Sequence, residues 1–294
     1  MPPLRIADED FLKEAIRTAC LLEATARKPG NVHAAADFAD MSFEDFVKSA
    51  NRTAPVLAKA SMMSLGLIIE AALIANHASV GKNTNLGIVL LIAPLAAVPL
   101  DVPLREGVRK VLNETTVEDA VRVYQAINVI QPGGMGEVPE QDLSQKPTES
   151  LLAVMQRAAE RDLIAAQYAN GYELIFDECL PWLLTRKADF AKGWEEIIQS
   201  LFLRLLSRHA DSLIVRKNGP ELAAEVSQRA EAVLEAGWPH TEIAREQFGQ
   251  LDRWLREDGN RLNPGTTADL VAAALFAALR EKILKSPFQF RLSL

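Results

Sequence analysis

Residues 83–100 read NTNLGIVLLIAPLAAVPL, and from Leu86 onward the run carries no charge. It is either a membrane span or the inside of a helical protein. Its roughly 15 apolar positions fall short of the roughly 20 that cross a bilayer. It opens on Asn83, Thr84 and Asn85 and contains Pro94 and Pro99. The run therefore reads as a buried helix over 83–98, and a helix apolar on every side needs other helices around it.

Outward from that run the periodicity is helical almost everywhere. A second alanine-rich segment at 54–78 reads as another central helix, since small side chains let helices approach closely. The first helix is expected over Asp8–Ala26 with Asp8 as N-cap, followed by a loop at 27–41. Ser42 and Asp45 then stand at capping-box spacing to start the next helix. Further helices are expected at 104–112, 116–129, 148–168, 171–185, 191–216, 218–236, 240–258 and 266–284. Residues 131–147, opening QPGGMG and holding Pro139 and Pro147, read as a linker or an active-site lid. No strand ladder or repeat appears. The expectation is an all-α protein, residues 1–294 as one multi-helix domain with central apolar helices.

Composition excludes whole classes. With 49% hydrophobic and 24% charged residues, 15 Gly and 15 Pro, the chain is neither disordered nor collagenous. A net charge of −7, from 32 basic and 39 acidic residues, argues against a nucleic-acid partner. Cys20 and Cys179 alone make no disulfide framework or four-cysteine zinc site and suit a reducing cytosol. The N-terminus carries no secretory signal, so a cytoplasmic location is expected, with small-molecule partners, no membrane and a homodimer as the candidate assembly.

Four polar segments interrupt the apolar pattern, and each has a bland reading beside a chemical one. KPGNVH (28–33) turns at Pro29-Gly30 and leads to Asp37 and Asp40-Met41. It is either a helix stop or a place where Lys28 meets a phosphate and Asp37 and Asp40 hold a divalent ion, with His33 a weaker ligand. KNTNLG (82–87) is either an Asn83 N-cap or an anion site at a helix start, with Lys82, Thr84 and Asn85 around the ligand. In SRHADSLIVRKNG (207–219) one helix would carry Arg204, Ser207, Arg208 and Asp211 on a single side. That stripe is either a solvated face or a cleft wall with Asp211 at Mg²⁺ and Arg216 or Lys217 at phosphates. LNPGTTADL (262–270) places Thr266 and Asp269 at capping-box spacing, or offers Gly265 and Thr266 backbone to a phosphate. No GxxxxGK[ST] or complete GxGxxG is present.

In this order, KPGNVH with its downstream DM, KNTNLG, HADSLIVRKNG and LNPGTTADL resemble the triphosphoribosyl-dephospho-coenzyme A synthase family over residues 23–276. The resemblance implies an all-α enzyme using ATP as ribosyl donor. The 2′-hydroxyl of 3′-dephospho-coenzyme A attacks the anomeric carbon, adenine leaves, and the triphosphate travels with the ribose. The chain departs from the pattern where citrate-lyase-type members carry an ARGEA-like segment, for here Ala159-Glu160-Arg161-Asp162-Leu163-Ile164-Ala165 stands. His33 and Ser212 are also unusual for the family. The look is that of a divergent branch found in archaea and in methanopterin-using bacteria, so the same transfer to a one-carbon-carrier acceptor is the alternative, and a noncatalytic helical scaffold is the second.

Displacement of adenine passes through an oxocarbenium-like state that carboxylates stabilise. The resemblance assigns Lys28, Lys82, Arg208, Arg216 and Lys217 to phosphates, and Asp40 and Asp211, then Asp37 and Asp269, to Mg²⁺. Glu23 is the candidate base, Asp211 the candidate stabiliser of the transition state, and Asn83, Asn85 and Asn263 candidates for ribose or adenine. Convergence of residues 28–40, 83–87, 208–217 and 263–269 on one cleft would mark an enzyme, and dispersal a scaffold.

Overall fold

The computed structural model describes residues 6–130 and 145–285, so of the Gly/Pro-rich loop expected at 131–147 only 145–147 fall within it. Among the described residues the regular elements are helices, with one isolated bridge between His33 and Ala36. They run in order α1 (Ile6–Thr25), α2 (Phe43–Leu57), α3 (Leu65–Val80), α4 (Leu86–Ala96), α5 (Leu104–Asn113), α6 (Val117–Ile130) and α7 (Leu151–Ala158). Then come α8 (Leu163–Asn170), α9 (Leu180–Leu184), α10 (Phe190–Arg208), α11 (Ser212–Asn218), α12 (Pro220–Glu235), α13 (Glu242–Asn260) and α14 (Gly265–Arg280). A 3-10 turn at Ala60–Met62 precedes α3, and a π-helical turn at Leu174–Cys179 precedes α9. The all-α expectation holds. Among the described residues no helix is long and apolar enough to cross a membrane.

The run that opened the reading is the buried helix α4, in which every residue from Gly87 to Ala96 is buried. It packs against α14, α3 and α5, and α1 closes over α14. Burial of Val89, Leu91 and Ile92, each fully enclosed, stabilises the fold by about 1.5–3 kcal/mol per side chain. Pro94 has no N–H for the carbonyl four residues back, and a tertiary contact supplies one: Tyr168 Oη donates to Leu90 O at 2.6 Å. One turn along α8 and its C-terminal bend, Tyr172 Oη donates to Leu91 O at 2.8 Å. These two phenols, both buried, tie α8 to the central helix.

Several continuous helices expected from periodicity are pairs, because capping residues break them. Asp8 is no N-cap, for α1 begins at Ile6 and Asp8 adds charge to its first turn. Ser42 and Asp45 do form the capping box of α2. The segment 54–78 divides at 58–64, where Ser64 takes an extended backbone and Gly66 N donates to Asp119 Oδ1, 2.8 Å away on α6. The segment 148–168 breaks before Asp162, which caps α8 through Ile164 N and Ala165 N at 2.8 and 3.1 Å. The segment 191–216 breaks at His209, and Asp211 caps α11 through Leu213 N and Ile214 N at 2.9 and 3.1 Å. Arg204, Arg208 and Asp211 therefore do not share one helix, and the single polar stripe drawn through them is corrected.

Candidate active site

The breaks bring helix starts together. Asp211 Oδ1 is spent on α11, while its Oδ2 accepts from Thr267 N at 2.7 Å and Thr267 Oγ1 at 2.8 Å, clamping the start of α11 to the start of α14. Ser212 Oγ donates to Thr266 Oγ1 at 3.1 Å and accepts from Leu163 N at 3.3 Å, which adds the start of α8. The start of α4 joins through Asp269, whose carboxylate meets the Ile88 amide. Gly87 permits that approach, because a Cβ there would sit 2.0 Å from Asp269 Oδ2.

The loop after α1 is tied to the same place. Asn31 Nδ2 donates to Asn263 Oδ1 at 2.9 Å across to the turn before α14. Gly30 N donates to Asp252 Oδ1 at 2.8 Å, and Arg256 bridges Asp252 and the Asn31 carbonyl. Gly30 has φ +69° and a Cβ there would lie 2.5 Å from Leu255, so two independent constraints require glycine. Residues of all four polar segments thus meet, where dispersal would have marked a scaffold.

The electrostatics single out Asp269. Its carboxyl is raised well above the ordinary carboxylate value, first by burial and then by the negative charges of Glu23, Asp211 and Asp162. Asp211 is also raised by burial, with its hydrogen bonds from Thr267, Ile214 and Leu213 acting the other way. Glu23 is raised by burial too, while Lys28 acts to lower it. His33 is held down to about 4, chiefly by burial and then by Arg256, so it is neutral near pH 7, with Nδ1 accepting from Ala35 N at 3.2 Å.

Several assigned residues have other partners than those expected. Lys28 is fully buried, its Nζ 2.9 Å from Glu23 Oε1 and bonded to the Glu23 and Ala26 carbonyls, so no phosphate reaches it in this conformation. The same pair occupies the Glu23 carboxylate, which weakens its candidacy as base. Lys82 is exposed and lies 2.8 Å from Asp45. Arg216 Nη1 is 3.4 Å from Asp162, Arg208 Nη1 is 3.3 Å from Glu178, and Lys217 is exposed. Asn83 Oδ1 accepts from Leu86 N at 3.1 Å, Thr84 pairs with Asn76, and Asn85 holds the N-cap position of α4 with its Oδ1 buried and unpartnered. Asp37 accepts from Phe43 N at 2.7 Å, and both it and Asp40 are exposed.

For the expected magnesium, no group of three or more His, Cys, Asp or Glu side chains among the described residues is arranged to hold a metal. Asp211 has both oxygens engaged. Magnesium, however, is commonly held by one or two carboxylates together with substrate phosphates, and Asp269 fits that lesser demand.

Asp162 is the residue the motifs missed. It lies in the segment noted only for departing from the family, although an aspartate directly before the apolar Leu163-Ile164-Ala165 is an N-cap signal. Asp252 and Arg256 were also missed, because their i,i+4 spacing on α13 reads as an ordinary solvated pair.

Comparison with known proteins bears on the family of the chain. A triphosphoribosyl-dephospho-CoA synthase named as such in Archaeoglobus fulgidus has a crystal structure that superposes with a TM-score of 0.62 at 27% identity, covering 79% of this chain and 97% of that one. A relative from Pseudomonas putida, named as a 2-(5''-triphosphoribosyl)-3'-dephosphocoenzyme-A synthase, is 28% identical over 218 residues, 74% of this chain and 69% of its own length. The sequence model of the ATP:dephospho-CoA triphosphoribosyl transferases matches residues 9–288, a span that takes in every helix start of the site. The chain belongs to the ATP:dephospho-CoA triphosphoribosyl transferase family.

Proposed function

We propose that the converging starts of α4, α8, α11 and α14 are the active site in which this transferase moves the 5-triphosphoribosyl group of ATP onto the 2′-hydroxyl of 3′-dephospho-CoA, with adenine as leaving group. The carrying observation is that the four ordered polar segments meet, three of them through direct hydrogen bonds and the start of α4 through Asp269 at the Ile88 amide. Such a meeting is costly to build, since it buries carboxylates side by side, and function is where such costs are tolerated.

Asp162 and Asp211 already satisfy the starts of α8 and α11. At the start of α14, Asp211 takes the Thr267 amide and the Asn263 carbonyl takes the Gly265 amide, so the Thr266 amide is the donor left for the triphosphate. Arg216 and Lys82 exchange their present carboxylate partners for phosphate, and the exposed Lys217 adds a third movable cation. Asn85 offers its unpartnered Oδ1 to a ribose hydroxyl or the adenine amino group, and Asn263 and Asn83 flank it. Asp269 is the proton-handling group: a carboxylate whose proton affinity is raised by burial and by the charges of Glu23, Asp211 and Asp162 is a stronger base than an ordinary one and is matched to accept the acceptor hydroxyl's proton as the bond to the anomeric carbon forms. The charge of Asp269 also faces the developing oxocarbenium. Magnesium would be held by Asp269 together with the triphosphate, and when bound it would neutralise phosphate charge.

The test is product identification: mass spectrometry of the acceptor after incubation with ATP and Mg²⁺. A mass gain of one triphosphoribosyl unit on dephospho-CoA is expected. A phosphorylated or adenylylated acceptor overturns the reading.

A further inference from the structure

Outside the capped helix starts, two arginines are held over one indole beside the C-terminal part of α10, with a third arginine one turn further on. Arg186 lies 4.0 Å above the Trp182 ring centroid and Arg204 5.7 Å from it. Arg186 is fixed further by Nη1 bonds to Thr185 Oγ1 at 2.6 Å and to the Trp182 carbonyl at 3.3 Å. One turn beyond Arg204, Arg208 ends α10. Among the described residues a single carboxylate, Glu178, serves this cluster, and it is shared by Arg208 at 3.3 Å and His209 at 3.2 Å. Arg186 and Arg204 make no ion pair among the described residues.

The Arg204 guanidinium has its pKa lowered from the ordinary value by burial first, then by the charges of Arg208 and Arg186. Trp182 Nε1 is buried with no acceptor. Every unsatisfied group here is a donor, so the missing complement is an acceptor-rich anion. Guanidinium forks match phosphate oxygens in geometry as well as charge. With Arg186 stacked on it, the indole is a shelf that fixes cations, not a free stacking surface for a base.

The position decides which anion. Arg208 is followed three residues later by Asp211, inside the site, a stretch of chain spanning at most about 10 Å. The triphosphate is already provided for on the α14 side. The remaining phosphate chain in the reaction is the diphosphate of dephospho-CoA, which hangs from the same ribose that carries the attacking hydroxyl.

We infer that Arg186 and Arg204, set over Trp182, together with the neighbouring Arg208, form the docking site for the acceptor's diphosphate. The inference rests on the transfer reaction proposed above. It makes the acceptor enter from the α9–α10 side while the donor lies against α14, and it makes these arginines determinants of acceptor specificity: a ribosyl acceptor lacking a diphosphate would not engage them.

The test is steady-state kinetics on the full chain with Arg186→Gln/Arg204→Gln and with the exposed single variant Arg208→Gln, folding being checked by circular dichroism. The KM for dephospho-CoA should rise on the order of 10-fold or more, with the KM for ATP changed less than about 2-fold and kcat largely kept, the pattern of lost uniform binding. Arg204→Lys should recover part of the loss, since charge returns without the fork. Arg229→Gln, which removes another ring-stacked arginine at Trp254, should leave both KM values unchanged. Wild-type protein that releases adenine, alongside folded variants with an unchanged acceptor KM, overturns the docking site alone. A rise in the ATP KM instead assigns the arginines to the donor and overturns it equally. Wild-type protein that releases no adenine overturns the underlying reading and the docking site with it.

Discussion

Asp269 and Asp211 are both buried aspartates of the site, yet their surroundings give opposite expectations for the same isosteric change. Asp269 binds its proton more tightly in the folded protein than in the unfolded chain, because burial and the neighbouring carboxylates raise its pKa above the ordinary 3.8. Its contribution to stability is therefore full below that ordinary value and is lost as pH rises toward and through the raised one. Asp269→Asn removes this penalty and still offers an oxygen to Ile88 N. The variant should melt no lower than wild type at pH 7–8, its stability should fall less with rising pH, and turnover should drop on the order of 100-fold or more. A folded Asp269→Asn protein with near-normal turnover would take Asp269 out of the chemistry. Asp211 instead accepts four bonds from two helices. Asp211→Asn turns an amide toward a donor and should cost about 2–4 kcal/mol of stability, read as a lowered denaturant midpoint at unchanged slope. An unchanged midpoint would show that the clamp carries little energy. Lys28 shows why residue roles were only partly legible: its motif marks the right loop, but whether its ammonium faces a phosphate or Glu23 depends on where the chain folds back, which spacing does not encode.

At the scale of elements, helix existence was legible and helix continuity was not. Periodicity reports the apolar face, and two helices in succession keep that face across a break, as α10 and α11 do around His209. The breaks were recoverable in part: Asp162 and Asp211 each precede an apolar run, the signature of an N-cap. The break before α3 was not, because the donor–acceptor pair from Gly66 to Asp119 lies on another helix. The same dependence on a distant partner governs α4, where Pro94 removes a backbone donor and Tyr168 supplies the replacement. Tyr168→Phe deletes one hydroxyl and leaves the buried Leu90 carbonyl unpaired, so it should destabilise the protein by about 1–3 kcal/mol, measured by chemical denaturation. A loss near zero would show that the Leu90 carbonyl finds another donor.

At the scale of the molecule, the four polar segments are far apart in sequence and their order carried the family resemblance, while their meeting is a property of the packing of α1, α4, α11 and α14. The expectation of Mg²⁺ belongs here, since buried carboxylates and a triphosphate meet unfavourably without a cation between them. ATP affinity by calorimetry should fall strongly when Mg²⁺ is omitted, and equal affinity with and without it would give Asp269 a purely organic role. The account as a whole stands on what leaves the ATP. Incubated with ATP, Mg²⁺ and dephospho-CoA, the protein should release free adenine in step with acceptor consumption, followed by chromatography. Accumulation of ADP, AMP or pyrophosphate without adenine would contradict it.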